Sequence, residues 1–237
     1  MANPNRRNLL LGLGAGAAAL AAAKASDLIP PDAAGLYGCG HTLTYAAQKL
    51  LVGNARAREF PPSQISAINH PKDNYPKGQT FQQLKANGFA DWKLQIDGLV
   101  TTPQTLTIDQ LKTQPTSSQI TQLICEEGWS YIAQWAGVPL SHLLQLAGTK
   151  PAARYVVYSA MDEWVDAIDM NDALHPQTIV THTMNNAPLP IGHGGPLRLR
   201  VPRQLGYKSL KFLNKITLTD SLKGVAGEGS YSWFAGI

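Results

Sequence analysis

The stretch C-E-E-G-W-S-Y-I-A-Q-W-A-G-V-P-L-S-H-L-L runs from Cys125 to Leu144. Just before it, Ile120 to Cys125 reads as a strand, and Gly128 turns the chain after it. Pro139 to Leu146 reads as a helix, with Pro139 in its first turn and Gly148 as its stop. Cys125 therefore stands at a strand end beside a glycine turn. A thiol so placed can reach a cofactor that approaches the backbone, and a soft thiolate suits a redox metal. A cysteine can equally be a small buried hydrophobe. In an oxidising compartment, Cys39 would also offer a disulfide partner.

Outward from that stretch the chain is built of short pieces. Trp92 to Ile96 alternates apolar and polar residues as a strand does, and Asp97-Gly98 turns it. Thr107 is positioned to cap a short helix running to Leu111. Further strands are expected at Tyr155–Ser159, Ile179–Met184, Leu197–Val201 and Lys215–Thr219, with a turn at Asn185-Asn186. Upstream, His41 to Glu59 has helical spacing of Leu43, Ala46, Ala47, Leu50 and Leu51, and Phe60-Pro61-Pro62 breaks it. Residues 63–78 read as irregular loop, and a short helix follows from Phe81 to Asn87. Many short strands with few short helices predict an α+β fold with a mixed or barrel-like sheet. The expected organisation is an arm with a helix over residues 26–62 and one domain over 63–237.

A second informative stretch is H-G-G-P-L-R-L-R-V-P-R-Q-L-G-Y-K-S-L-K, from His193 to Lys211. Arg198, Arg200, Arg203, Lys208 and Lys211 crowd it beside Gly192, Gly194, Gly195 and Gly206. A phosphate needs fixed donors and positive charge. Arginine supplies a planar fork, lysine a point charge, and glycine-rich backbone exposed N–H groups. A solvated basic strand edge is the plainer reading, and Arg200 and Arg203 are expected to face solvent. His175 and His182 lack metal-ligand spacing, so capping or ordinary polar roles are expected.

Together these stretches resemble the sulfite oxidase-like molybdopterin family. There a cysteine is followed by a short variable stretch, a tryptophan and W-x-G-[VF]-P-L. The segment from His193 resembles the family's cofactor-binding segment. D-A-L-H-P-Q-T, from Asp172 to Thr178, resembles a shorter element between the two. The similarity spans roughly residues 65–220. It implies a sulfite oxidase-type domain holding a molybdenum-molybdopterin cofactor, with Cys125 as the only protein ligand to the metal. The protein's part is then to orient and tune that metal. By the same resemblance Asn69 and His70 contact the pterin, and Ser159 and Ala160 lie where a strand end lines it. His193 and Arg198 match H-x-x-P-x-R, which grips the pterin and its phosphate. Lys208, Ser209 and Lys211 match the stretch beyond.

The resemblance also bears on the reaction, a two-electron oxygen-atom transfer. Sulfite oxidases surround the substrate with basic residues, whereas Glu126 and Glu127 follow Cys125 and Ile68 precedes Asn69. Carboxylates there would repel a dianion. C-x-E-x-W-S is more similar to the periplasmic methionine sulfoxide reductase catalytic subunits. Reduction of a neutral S-oxide is therefore expected. A sulfite-type dehydrogenase and a cofactor-free secreted binding module are the alternatives. The sequence carries no C-x-x-C-H haem site and no run of cluster-ligating cysteines, so an external electron donor or acceptor such as a haem protein is expected.

The first residues read as an address. Arg6-Arg7 precede an uncharged run from Leu9 to Ala23, and Ala23-Lys24-Ala25 is a small-x-small cleavage site. The paired arginines point to the twin-arginine route and a periplasmic destination. The run is shorter than the roughly 17–25 residues of a bilayer span. Removing residues 1–25 takes away Arg6, Arg7 and Lys24, so 20 basic groups fall to 17 against 16 acidic ones. A nearly neutral mature chain with no clustered basic face argues against nucleic acid as a partner.

Overall fold

The computed structural model describes residues 38–67 and 75–222. The expected signal over residues 1–25 lies outside them, as do Asn69 and His70. The chain divides into two compact units, with the break after Asn54. In the first, helix α1 (Gly38–Val52) leaves Leu43, Leu50 and Leu51 exposed. The helix was expected to reach Glu59. It stops at Val52, where Gly53 N–H bonds back to Lys49 O (3.0 Å). Glu59 instead bridges to Thr121, and Phe60 N–H donates to Ile120 O (2.9 Å).

In chain order the second unit holds α2 (Gln79–Ala86), β1 (Lys93–Gly98), β2 (Gln104–Thr107), α3 (Ile108–Lys112), β3 (Ser117–Ile124) and β4 (Ser130–Pro139). Then come α4 (Leu140–Ala147), β5 (Tyr155–Ala160), β6 (Val165–Asp169), α5 (Met170–Ala173), β7 (Ile179–Met184), β8 (Ala187–Pro188), β9 (Arg198–Arg200) and β10 (Leu213–Thr219). One sheet has the order β2-β1-β10-β5-β6 and the other β3-β4-β7-β8, with β9 also paired to β7. The β1–β10 pair is parallel and the other pairs are antiparallel, so the architecture is the expected mixed α+β.

Local chemistry accounts for several elements. Thr107 and Gln110 form a reciprocal capping box at α3, each side chain bonding the other's backbone N–H (3.2 and 2.9 Å). Gly148 ends α4 in the left-handed conformation. Asn185 and Asn186, both at positive φ, make the tight turn between β7 and β8. Strands β2, β4 and β6 were not anticipated. In β4 the alternation was present, since Tyr131, Ala133 and Trp135 are buried while their neighbours are half-buried.

Two apolar cores stabilise the unit. The larger gathers Trp92, Leu94 and Ile96 with Leu140, Leu143 and Leu144 of α4 and Ile216 and Leu218 of β10. Phe81 of α2 packs edge-on against Trp92 (6.3 Å) and Phe212 (5.3 Å). The smaller joins Leu123, Tyr131, Trp135, Ile179 and Met184 on the second sheet. Gly137 permits β4 and β7 to close on each other. A Cβ there would come within 2.1 Å of Val180 O.

The D-A-L-H-P-Q-T element is a structural knot. Arg203 ion-pairs with buried Asp172 (3.3 Å), whose carboxylate also accepts from Gln204 Nε2. Thr178 hydroxyl donates to Asp172 O (2.6 Å), and His175 Nδ1 accepts from Gln177 N–H (3.2 Å). Among the described residues no helix is long and apolar enough to cross a membrane.

Removing one member of a buried ion pair strands the other and costs about 3–5 kcal/mol. Asp172→Ala is therefore expected to lower Tm by roughly 10 °C in differential scanning calorimetry. A change within a degree or two would mean that Arg203 finds solvent instead.

Candidate active site

Cys125 sits on the hairpin between β3 and β4. Its N–H donates to Trp129 O (2.9 Å) and its carbonyl accepts from Gly128 N–H (3.1 Å), closing a tight turn. The residue is 9% exposed, and its thiol is free. Cys125 lies on the wall of a cavity of about 350 Å³. Glu126 Oε2 stands 3.4 Å and Glu127 Oε2 3.8 Å from Sγ. Burial pushes the thiol pKa above its ordinary value. The Glu127 backbone N–H works against the rise, while the carboxylates add to it. Burial outweighs the Glu127 N–H, so the free thiol favours its protonated form, and a bound metal cation would shift that preference towards the thiolate.

The facing wall carries the basic segment. Arg198, at the start of β9, donates from Nη1 to His193 O (3.0 Å), and its buried Nε has no hydrogen-bond partner. His193 Nδ1 lies 3.0 Å from Tyr131 Oη, which fixes the imidazole against β4. Gly194, at φ 98°, lets the next turn of chain approach, and a Cβ there would strike Lys211 at 2.7 Å. Lys211 Nζ donates to Gly192 O (2.6 Å). Behind this wall Arg200 is fully buried. It donates to Gln122 O (2.5 Å) on β3 and Ser209 Oγ (3.1 Å) on the loop before β10. Both guanidiniums lie over the Trp135 ring, at 5.6 and 5.4 Å. Burial, with repulsion from Arg198, pushes the Arg200 pKa down to about 9.

The tertiary structure thus brings Cys125, His193, Arg198, Ser209 and Lys211 to one cavity. Three other candidates contribute nothing to its wall. Ser159 and Ala160 belong to the end of β5, where Ala160 N–H is taken by Trp164 O (2.9 Å). Asp162 and Trp164, just beyond, line the cavity instead. Buried Lys208 donates to Asp166 (2.6 Å) and Ala167 O (2.9 Å), so its charge is neutralised within the fold. Arg200 and Arg203, expected at a solvent edge, are buried, because each finds carbonyl, hydroxyl or carboxylate partners inside.

Sequence reasoning did not single out Trp129, Tyr131, Tyr207, Asp162 or Trp164 as cavity residues. For Trp129 and Tyr131 a signal existed, because they stand two residues apart at the entry to β4, Trp129 just before the strand and Tyr131 within it. Their rings stack at 5.9 Å and 6°. Asp162 and Trp164 carry no local signal and arrive from the other sheet.

The residues present fit a molybdopterin. A soft sulfur opens onto the cavity, which is also lined by a buried cation with an unpartnered Nε. Among the described residues no three His, Cys, Asp or Glu side chains gather to hold a metal. A metal at Cys125 could take further ligands from a cofactor such as a dithiolene.

Comparison with known proteins agrees. The family described as oxidoreductase molybdopterin-binding domain matches residues 81–224. The protein provisionally named protein-methionine-sulfoxide reductase subunit YedZ1, from Azospira oryzae, is 33% identical over 85% of this chain and 81% of its own length. The protein-methionine-sulfoxide reductase catalytic subunit MsrP of Ralstonia nicotianae is 29% identical over 62% of this chain and 50% of its own. The chain thus spans about half of that second relative. The crystal structure of the sulfane dehydrogenase SoxCD from Paracoccus pantotrophus superposes with a TM-score of 0.54 at 24% identity. It covers 56% of this chain and 39% of that one, a likeness of fold.

The two buried histidines make stability pH-dependent. Burial first, then nearby cations, lowers His175 and His193 from 6.5 to about 4. Between those values the unfolded chain binds more protons than the folded one. Stability is therefore complete above about pH 6.5 and lost as pH falls towards 4. Calorimetry should find Tm falling over that window, and falling less for His175→Asn. Parallel profiles for the two proteins would refute the assignment.

Proposed function

This chain belongs to the oxidoreductase molybdopterin-binding domain family and is a molybdopterin-dependent oxidoreductase, and on that premise we propose that it reduces a neutral S-oxide, such as methionine sulfoxide, in the periplasm. The observation that carries this reading is a free thiol sharing one cavity with an incompletely bonded buried arginine and with carboxylates. The cofactor of choice is molybdenum-molybdopterin. Bound here, it supplies a two-electron couple that removes one oxygen atom, so that S-oxide, two protons and two electrons become thioether and water.

The chain's own side chains do the rest. Cys125 presents sulfur to the metal. Arg198 and Lys211 offer positive charge to the pterin phosphate, Ser209 a hydroxyl, and His193 a ring held by Tyr131. Asn69 and His70 are proposed to complete the pterin contacts. Glu126, Glu127 and Asp162 line the same cavity and disfavour a dianion such as sulfite. The electrons come from an external donor, in the manner of a haem protein. The N-terminal Arg6-Arg7 stretch supports twin-arginine export of the folded, loaded enzyme.

Natively expressed protein is expected to contain molybdenum and to reduce S-oxides with a reduced dye as donor. Sulfite oxidation with a cytochrome acceptor, and no S-oxide reduction, would reverse the direction. Cys125→Ala should abolish turnover with little change in Tm, and normal activity would remove Cys125 from the metal. Arg198→Ala should lower molybdenum content about tenfold or more, since a charge-assisted hydrogen bond is worth about 1.5–3 kcal/mol. Unchanged metal content would deny it the phosphate.

A further inference from the structure

The cavity is lined from both sheets. The β3–β4 hairpin brings Trp129, and the β5–β6 hairpin brings Trp164. These indoles differ in exposure. Trp129 is fixed, with Nε1 donating to Glu127 Oε2 (2.8 Å) and its ring stacked on Tyr131. Trp164 is 43% exposed, one of the few large apolar side chains so placed among the described residues. Its backbone is nonetheless stiff. Ala160 N–H donates to Trp164 O (2.9 Å), Glu163 N–H to Ala160 O (3.1 Å), and Glu163 itself takes φ 67°. An indole on a braced turn is a poor device for filling core and a good one for meeting a ligand.

We infer that Trp164, facing the cavity with Trp129, is the specificity determinant that receives the apolar substituent of the substrate's sulfur. This rests on the S-oxide reading above. The chemistry of that substrate class matches the wall. A thioether S-oxide has one polar end and apolar arms, and sulfur with its flanking methyl or methylene groups packs well on aromatic rings. Asp162, two residues before Trp164, and Glu127, bonded to Trp129, place a carboxylate beside each indole. An anionic arm is thereby disfavoured, while an uncharged one is accepted. The occupant is an uncharged S-oxide with a flexible or bulky apolar arm. Dimethyl sulfoxide, with only methyl groups, has little for Trp164 to hold.

The test compares wild-type holoenzyme with Trp164→Ala and Trp164→Phe, after matching their molybdenum content. Two probes are used, N-acetyl-methionine sulfoxide methyl ester and dimethyl sulfoxide, with a reduced dye as donor. Trp164→Ala should raise KM for the methionine derivative about tenfold with kcat within about twofold, and Trp164→Phe should recover most of the loss. The KM for dimethyl sulfoxide should move much less. Equal losses for both probes, or a rise confined to the KM of the dye, would overturn the inference. Titration calorimetry of the methionine derivative into oxidised holoenzyme separates this from the parent reading. Wild-type binding that weakens about tenfold in Trp164→Ala supports the subsite even if no turnover occurs, in which case the reductase assignment alone falls. Equal affinity in the two proteins, or no binding to either, overturns the subsite.

Discussion

Two guanidinium groups buried side by side set the terms for this site. Arg198 and Arg200 lie on the same face of one short strand, and among the described residues neither meets a carboxylate. Burial of unpaired charge is costly, and like charges nearby add to the cost. The protein offers partial compensation through Trp135, His193 O, Gln122 O and Ser209 Oγ. Each Nε is left without a partner. The remaining electrostatic demand is for an anion, and the cavity beside Arg198 is where one can be met.

The neighbouring cations obey a different rule. Arg203 and Lys208 lie in the same sequence segment, yet Asp172 and Asp166 neutralise them within the fold. Their work is to tie the basic segment to α5 and β6. Arg200 ties it to β3 at Gln122, three residues before the Cys125 thiol. The spacing between cysteine wall and arginine wall is therefore set by buried polar contacts as well as by apolar packing.

Opposite charges reach one cavity from different elements. Arginine and lysine come from the β9 segment, and carboxylates come from the two hairpins that also carry indoles. The cations suit an anionic cofactor tail, and the carboxylates suit an uncharged reactant. In the sequence, Glu126 and Glu127 adjoin the very cysteine that would hold the metal.

Several features followed from the sequence alone because their causes are local. The Thr107 cap, the Gly148 stop, the Asn185-Asn186 turn and the α+β class depend on residues near one another in the chain. Cys125, His193, Arg198, Ser209 and Lys211 stood out in two distinctive stretches through their resemblance to a family, and the fold brings them to one cavity. Tertiary structure alone decided which basic residues keep an uncompensated charge. Arg203 and Lys208 are indistinguishable from Arg198 until Asp172 and Asp166 fold against them. It alone also removed Ser159 and Ala160 from the cavity and put Trp164 there, because the position of a hairpin relative to another sheet is fixed by long-range packing that no local pattern encodes.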